Sequence, residues 1–248
     1  MRQEVWKVCA WCAPGILALA CLGPGPAWAQ AYEGKPCQRE GNQALRSLAK
    51  SLPLEALDSA PTGAYTAWST SMLIPKGKPP SAPRPAGEDE LNEAALARDE
   101  WTCTHSAQRL TDGKPETAWC EGVEGHGQAE LVVAQVDARR PLRIWAGYGK
   151  SAAAHRANSR PRKVRVWVLA GHSLGAHQAG VSFGDIQPLG RKVVELADRN
   201  GYQPLPLPRV AISDEAVTFV ALEILTVYPG RKHRDTCVSE VQPLERPK

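Results

Sequence analysis

Two groups of residues in this chain could do chemistry, and they point in different directions. The run Val164 to Leu169 leads into Ala170-Gly171-His172-Ser173-Leu174-Gly175-Ala176. That is the form of a strand entering a nucleophile elbow, where glycines two before and two after a serine let neighbouring backbone close on a sharp turn. Ser173 would be the nucleophile, Asp198 or Asp214 the acid, and His233, the last histidine of the chain, the base. This order would make the protein a secreted serine esterase or lipase. The second group is basic: Lys150, His155, Arg156, Arg160, Arg162, Lys163 and Arg165 crowd into residues 150–165. Such a cluster suits sulfated, phosphorylated or carboxylated glycans through charge-assisted hydrogen bonds, although a solvated basic face is the plainer reading. His172 and His177 have no carboxylate or cysteine at supporting spacing, so no metal site is expected there.

The elements around the serine do not supply what an elbow needs. An α/β hydrolase alternates parallel strands with helices on both sides of the elbow, whereas residues 178–190 are glycine-rich without helical period. Only 75 residues follow Ser173, and they read as strands and proline turns at Pro204, Pro206 and Pro208. The motif therefore reads as an inter-strand loop.

From Trp101 onward the pattern is one of short β-type runs divided by Gly, Pro, Asn and Asp. Strands are expected over 101–106, 130–136, 142–148, 163–169, 191–196, 217–227 and 237–242. Val164, Val166 and Val168 alternate with Arg165, Trp167 and Leu169, a period of two. The run Val217 to Val227 is apolar on both faces, as for a central strand covered twice. Many short strands without intervening helices imply a sandwich or jelly roll. A tryptophan inside such strands, Trp145 or Trp167, could stack on a sugar but is more often core.

The first residues carry Arg2 and Lys7, an apolar stretch from Val8 to Leu22, and Ala27-Trp28-Ala29 before Gln30. This is the form of a secretory signal peptide over 1–29, cleaved near Ala29, which places the mature protein outside the cell or in the periplasm. A lipoprotein box ending at Cys21 fits less well, because Ala18 stands where a branched residue is usual. No later run approaches the ~18 apolar residues of a spanning helix. Cleavage leaves 219 of 248 residues and lowers the formal charge from +4 to +3, a mixed balance that does not point to nucleic acid. It also leaves four of the seven cysteines, Cys37, Cys103, Cys120 and Cys237. An even number in an exported chain implies two disulfides, with three pairings open.

Ahead of the strands, residues 30–74 form an extension, helical where Leu45, Leu48 and Leu52 recur behind a candidate N-cap at Asn42. Residues 75–100 read as a proline-rich linker holding Pro75, Pro79, Pro80, Pro83 and Pro85, with a short helical turn near Leu91 to Ala97.

Three islands bind this picture together: residues 110–127 (LTDGKPETAWCEGVEGHG), 147–166 (GYGKSAAAHRANSRPRKVRV) and 227–241 (VYPGRKHRDTCVSEV). Asp112-Gly113 is a turn signal, Trp119 a core plug, and Asn158, Arg160 and Asp235 polar residues at strand entries that can hold loops. In order and spacing the islands resemble the discoidin-like, NADase-type glycan-binding domain, a galactose-binding-like jelly roll related to the coagulation-factor discoidin modules and also attached to a streptococcal NAD glycohydrolase. The resemblance covers about residues 101–242 and departs at the strand entry, Gly127-Gln128-Ala129-Glu130, where the family often has Gly-Ile-Gly-Glu-Trp.

The resemblance implies an all-β, galactose-binding-like jelly-roll sandwich over 101–244 that binds a glycan or glycosylated surface and is not an enzyme. Trp119, Asp235 and Glu240 are then scaffold, and Tyr148, Lys150, Arg156, Asn158 and Arg160 are the ligand-binding candidates, of which Tyr148, Asn158 and Arg160 also suit scaffold roles. Because first and last strands of such sandwiches run side by side, it further implies a Cys120–Cys237 bridge, leaving Cys37–Cys103 to fix the extension. No cofactor is expected, although discoidin loop carbonyls with Asp112 could hold a structural calcium ion. A serine esterase and a structural module for protein contacts remain the competing readings.

Overall fold

In a computed structural model the alternation along residues 164–169 becomes two separate cores. It describes residues 37, 39–58, 66–177 and 180–244, so the expected signal peptide, its cleavage site and Cys21 lie outside the described residues. Val164, Val166 and Val168 face one core and Trp167 and Leu169 the other, on strand β6 (Arg160–His177). Strand β9 (Val217–Tyr228) splits the same way, with Val220, Leu222 and Ile224 against Phe219 and Ala221. Both faces of the central strands are therefore dry, which is why these runs are apolar throughout.

The strands form two antiparallel sheets. The larger has the order β1-β7-β6-β9-β4-β2, adding β1 (Leu54–Asp58), β2 (Ala67–Ser69), β4 (Leu131–Gln135) and β7 (Gly180–Glu195). The smaller has the order β3-β10-β5-β8, from β3 (Trp119–Cys120), β5 (Leu142–Ala146), β8 (Gln203–Leu205) and β10 (Cys237–Pro243). The main core lies where Val164 and Val166 of the large sheet meet Ile144 and Val238 of the small one. This is the all-β jelly-roll sandwich.

The second core covers the other face of the large sheet. Leu45 and Leu48 of a 3-10 helix (Gln43–Lys50) pack there with Leu54, Leu57 and Trp68 onto Trp167 and Phe219. Asn42 caps that helix, its Oδ1 accepting from the Ala44 N–H. The extension is thus drawn into the fold, supplying β1, β2 and the cover of an otherwise exposed apolar sheet face.

Two local expectations differ from the structure, and the helical turn expected near Leu91 to Ala97 is longer than expected. Residues 101–106 are not a strand: helix α1 (Glu88–Thr102) takes the first two and a turn the rest, with the Thr102 and Thr104 hydroxyls donating to the Arg98 and Trp101 carbonyls at the helix end. The end of the proline-rich linker is therefore helical, started by Glu88, Asp89 and Glu90 at the positive end of the helix dipole. The Gly171-His172-Ser173-Leu174-Gly175 segment is not a loop either; it continues β6 and pairs with β7, Ser173 opposite Phe183.

Trp119 anchors β3 in the main core. It is fully buried and its indole N–H donates to the Ser71 carbonyl at 2.9 Å, tying β3 to the extension. Trp119→Ala is expected to cost about 3–5 kcal/mol of unfolding free energy, read by chemical denaturation of the purified variant; a loss below 1 kcal/mol would show that the cavity collapses.

Candidate functional site

One end of the sandwich is organised by the turn Asp112-Gly113-Lys114. Asp112 Oδ1 accepts from the Lys114 N–H at 2.9 Å, and its Oδ2 accepts from Thr117 Oγ1 at 2.8 Å and Arg109 Nη1 at 3.5 Å. Glu240 of β10 reaches the same turn, Oε1 accepting from the Lys114 N–H at 2.8 Å. Burial first, and then the Asp112 carboxylate beside it, push the Glu240 carboxyl up to about 8. Its Oε2 is buried without a hydrogen-bond partner among the described residues. These oxygens are of the kind a calcium ion takes. No group of three or more His, Cys, Asp or Glu side chains converges for a metal among the described residues.

A pocket of about 420 Å³ opens between this turn and the C-terminal half of α1. Glu100, Trp101 and Thr104 line it from the helix end, Arg109, Lys114 and Thr117 from the segment that follows, and Tyr148 from the exit of β5. Tyr148 stands edge-on to His105 at 5.8 Å and packs over the Cys120–Cys237 disulfide. Burial raises the Tyr148 phenol and lowers the His105 imidazole. Tyr148 can take this place because Gly147 ends β5 at φ +119; a side chain there would strike Arg160 and His155. The volume lies within the range of small-ligand sites. A second cavity, of about 400 Å³, is lined by Arg39, Glu40, Gln43 and Arg46, but there Arg46 is committed to Glu130 at 2.8 Å.

The basic cluster of residues 150–165 is dispersed by the fold. Strand geometry sends neighbours to opposite faces, and most of the cations meet carboxylates. Arg160 is buried, its Nε donating to Asp198 Oδ1 at 2.9 Å and its Nη1 to the Asn158 and Pro229 carbonyls. Arg162 pairs with Glu195, and Arg165 with Glu223. Asn158 ends helix α2 (Ala152–Ala157), its Nδ2 donating to the Ala154 carbonyl. His155 is buried, and desolvation with the Arg160 charge lowers its imidazole. Of the five ligand-binding candidates, Tyr148 lines the pocket, Lys150 and Arg156 are exposed, and Asn158 and Arg160 hold loops. Trp167 is core, whereas Trp145 is half-buried, its N–H donating to Asn200 and its ring edge-on to Tyr202.

Of the residues named as scaffold, Trp119 and Glu240 are buried and Asp235 is half-buried. Trp119 fills the main core and Glu240 braces the Asp112 turn. Asp235 gives its carbonyl to the Ser159 N–H. Nearby, Glu121 is buried, its two oxygens accepting from the Thr236 and Val123 N–H groups, and burial pushes it up to about 7.

Among the described residues no hydrogen bond joins Ser173, Asp198, Asp214 and His233. Ser173 lies in an antiparallel ladder with its Oγ accepting from the Gly175 N–H, and Asp198 is held by Arg160. His233 sits in the loop whose carbonyl accepts from Ser159 Oγ. A nucleophile elbow needs strand-turn-helix, and here the serine is followed by more strand.

Sequence reading missed Glu100, Trp101, Arg109 and Thr117 as pocket residues. They come from a helix end and a loop that only the tertiary fold brings together, so no spacing marks them. Both implied disulfides are present, Cys120–Cys237 joining β3 to β10 and Cys37–Cys103 holding the end of α1. They suit an oxidising, extracellular setting. No helix among the described residues is long and apolar enough to cross a membrane.

No curated protein matches the chain. Among solved structures it is similar to the arabinofuranosyltransferase AftD from Mycobacteria, with 16% identity and a TM-score of 0.33 over 56% of this chain and 8% of that one. It is also similar to the Ruminococcus gnavus GH29 fucosidase E1_10125, with 6% identity and a TM-score of 0.29 over 77% of this chain and 27% of that one. For CpGH89 from Clostridium perfringens the identity is 10% and the TM-score 0.28, over 58% of this chain and 14% of that one. The chain thus spans under a third of each of these proteins, and likenesses this distant carry no functional argument. The model of the NAD glycohydrolase translocation F5/8 type C domain, by contrast, matches residues 86–243, from the start of α1 to the last strand. That is well over half of the chain, which therefore belongs to this family of discoidin-like modules.

Proposed function

We propose that the protein is an exported, non-enzymatic module that recognises a carbohydrate through the pocket between α1 and the Asp112 turn. The observation that carries this reading is the lining itself, which sets the aromatic rings of Trp101 and Tyr148 beside the polar heads of Glu100, Arg109 and Lys114. Sugar rings present apolar faces to aromatics and hydroxyls to such groups, and few other ligands need both at once. Family membership supports the same reading. Export rests on the signal-peptide pattern of residues 1–29 and agrees with two disulfides.

A glycan array probed with the mature protein tests it. Binding to a defined set of glycans is expected, reduced about tenfold or more by Trp101→Ala, which removes the apolar face a sugar ring would cover. Binding that Trp101→Ala leaves intact would move the site elsewhere, and an array without binders would remove the reading. For the esterase alternative, any Ser173-dependent turnover of short-chain esters would overturn the non-enzymatic assignment.

A further inference from the structure

We infer that the exposed face made by the end of α2 and the loop of residues 229–235 binds an anionic polysaccharide, a sugar chain carrying sulfate or carboxylate groups, at a surface that shares no residue with the pocket. The run Arg231-Lys232-His233-Arg234 is exposed throughout, as is Arg156. Backbone hydrogen bonds bring the two segments together. The Arg231 N–H donates to the Arg156 carbonyl at 3.0 Å, and the Lys232 and His233 N–H groups donate to the Ala157 carbonyl at 3.0 and 2.9 Å. Four cations, Arg156, Arg231, Lys232 and Arg234, thus gather from two distant stretches of chain. Among the described residues none of the four is in an ion pair. The nearby carboxylates are engaged elsewhere: Asp198 is held by Arg160, and the Asp235 charge acts on His105 and Glu121.

The loop is fixed by its own hydrogen bonds. Buried Ser159 accepts through Oγ from the Gly230 N–H at 3.0 Å, donates its N–H to the Asp235 carbonyl at 3.1 Å, and accepts at its carbonyl from the Cys237 N–H at 3.1 Å. Gly230 lies so close to the end of α2 that a Cβ would stand 2.5 Å from the Ala157 carbonyl oxygen. A preset loop loses little entropy on binding. One exposed ion pair in water is worth little, so a lone anion gains little here, whereas a polymer engages several cations at once and releases its own counterions. Chemistry separates a polysaccharide from the other polyanions. Single nucleic-acid strands are held on stacking aromatic rings, and membrane surfaces by exposed apolar side chains. Residues 152–157 and 229–235 contain no Trp or Phe and no Tyr, and none of the exposed large apolar side chains falls among them.

The test is biolayer interferometry of the mature protein on dextran sulfate, polygalacturonate, unsubstituted dextran, oligothymidylate and phosphatidylglycerol vesicles, each at 50 and 200 mM NaCl. Dextran sulfate or polygalacturonate should bind about tenfold or more tighter than dextran, and about tenfold or more weaker at the higher salt. Which of the two binds tells sulfate from carboxylate. The triple substitution Arg231→Gln, Lys232→Gln and Arg234→Gln should lower that affinity about tenfold or more and flatten its salt dependence, with an unchanged melting temperature. Arg156→Gln alone should lower it by about threefold, and Lys192→Gln, at an exposed cation of β7, should leave it unchanged. Dextran bound as tightly as the charged polysaccharides, no binding of either of these, affinity untouched by the triple substitution, or equal loss with Lys192→Gln would overturn the inference. Oligothymidylate or the vesicles bound as tightly as the polysaccharides would overturn the choice of partner.

Discussion

Acidification from pH 8 to pH 6 is expected to raise the melting temperature by on the order of 10 °C in metal-free buffer, because two buried carboxyls resist ionising in the folded protein. Glu240 is held at about 8 and Glu121 at about 7, both chiefly by burial, against an ordinary value of 4.5. A folded-state pKa above the unfolded one contributes stability that is fully present below about 4.5 and is lost as pH rises through 7 and then 8. Over the two pH units the pair should lose about 3–4 kcal/mol, at roughly 1.4 kcal/mol per unit per protonated group. Below about pH 6 the trend turns over. The buried imidazoles of His105 and His155 are lowered, so their contribution is present above 6.5 and lost on further acidification. Hydrogen bonds from Ser71, Thr70 and Arg46 lower Glu130 against the opposing pull of burial, and Arg160 lowers Asp198, so both lose stabilisation at lower pH still. Maximum stability near pH 6 follows. Glu240→Gln should flatten most of the slope between pH 6 and 8 and raise stability at pH 8, since a neutral amide beside Asp112 never ionises. Melting curves that are level or rising from pH 6 to 8 would sink this account.

Removing the Cys120–Cys237 bridge with paired serine substitutions should cost about 5 kcal/mol and lower the melting temperature by roughly 10–20 °C. The bridge closes a loop of 117 residues, and most of the sandwich lies inside that loop. Without it the unfolded chain gains the entropy of an open loop, and β3, only two residues long, keeps two register pairs with β10. The two sulfurs also fill a fully buried cluster with Ala118, where serine hydroxyls would lack apolar neighbours of the same size. The Cys37–Cys103 bridge makes a contrast. It closes 66 residues and holds the end of α1, a helix with no buried residue. Its loss should release α1 while the sheets persist, giving fast amide exchange in residues 88–102 and a widened pocket. Equal global destabilisation by both pairs would show that α1 is part of the cooperative core.

The alternation at residues 164–169 and the doubly apolar run at 217–227 were legible because a strand's side-chain period is local: which face a residue takes depends on its neighbours in sequence alone. Asn42 as a cap was legible for the same reason. Residues 101–106 misled because Trp, Thr and Cys favour strands on average, whereas here two threonine hydroxyls complete a helical turn. The Gly171–Gly175 segment misled in the other direction. Its glycines signal a turn, but pairing with β7 on one side and, up to Gly171, with β9 on the other keeps it extended.

By itself, then, the sequence determined the sandwich: period-two strands, the islands that hold its loops, and the cysteines that pair across it. What it left open was where charge and aromatic surface would meet. The basic residues of 150–165 are consecutive in the chain but not in space, since Asp198, Glu195 and Glu223, brought alongside by other strands, neutralise Arg160, Arg162 and Arg165. The pocket residues are distant in the chain and adjacent in space, because a helix end, a turn and the exit of β5 converge at one end of the sheets. Pairing between strands is long-range, and only the folded chain decides which cations remain free to meet a ligand.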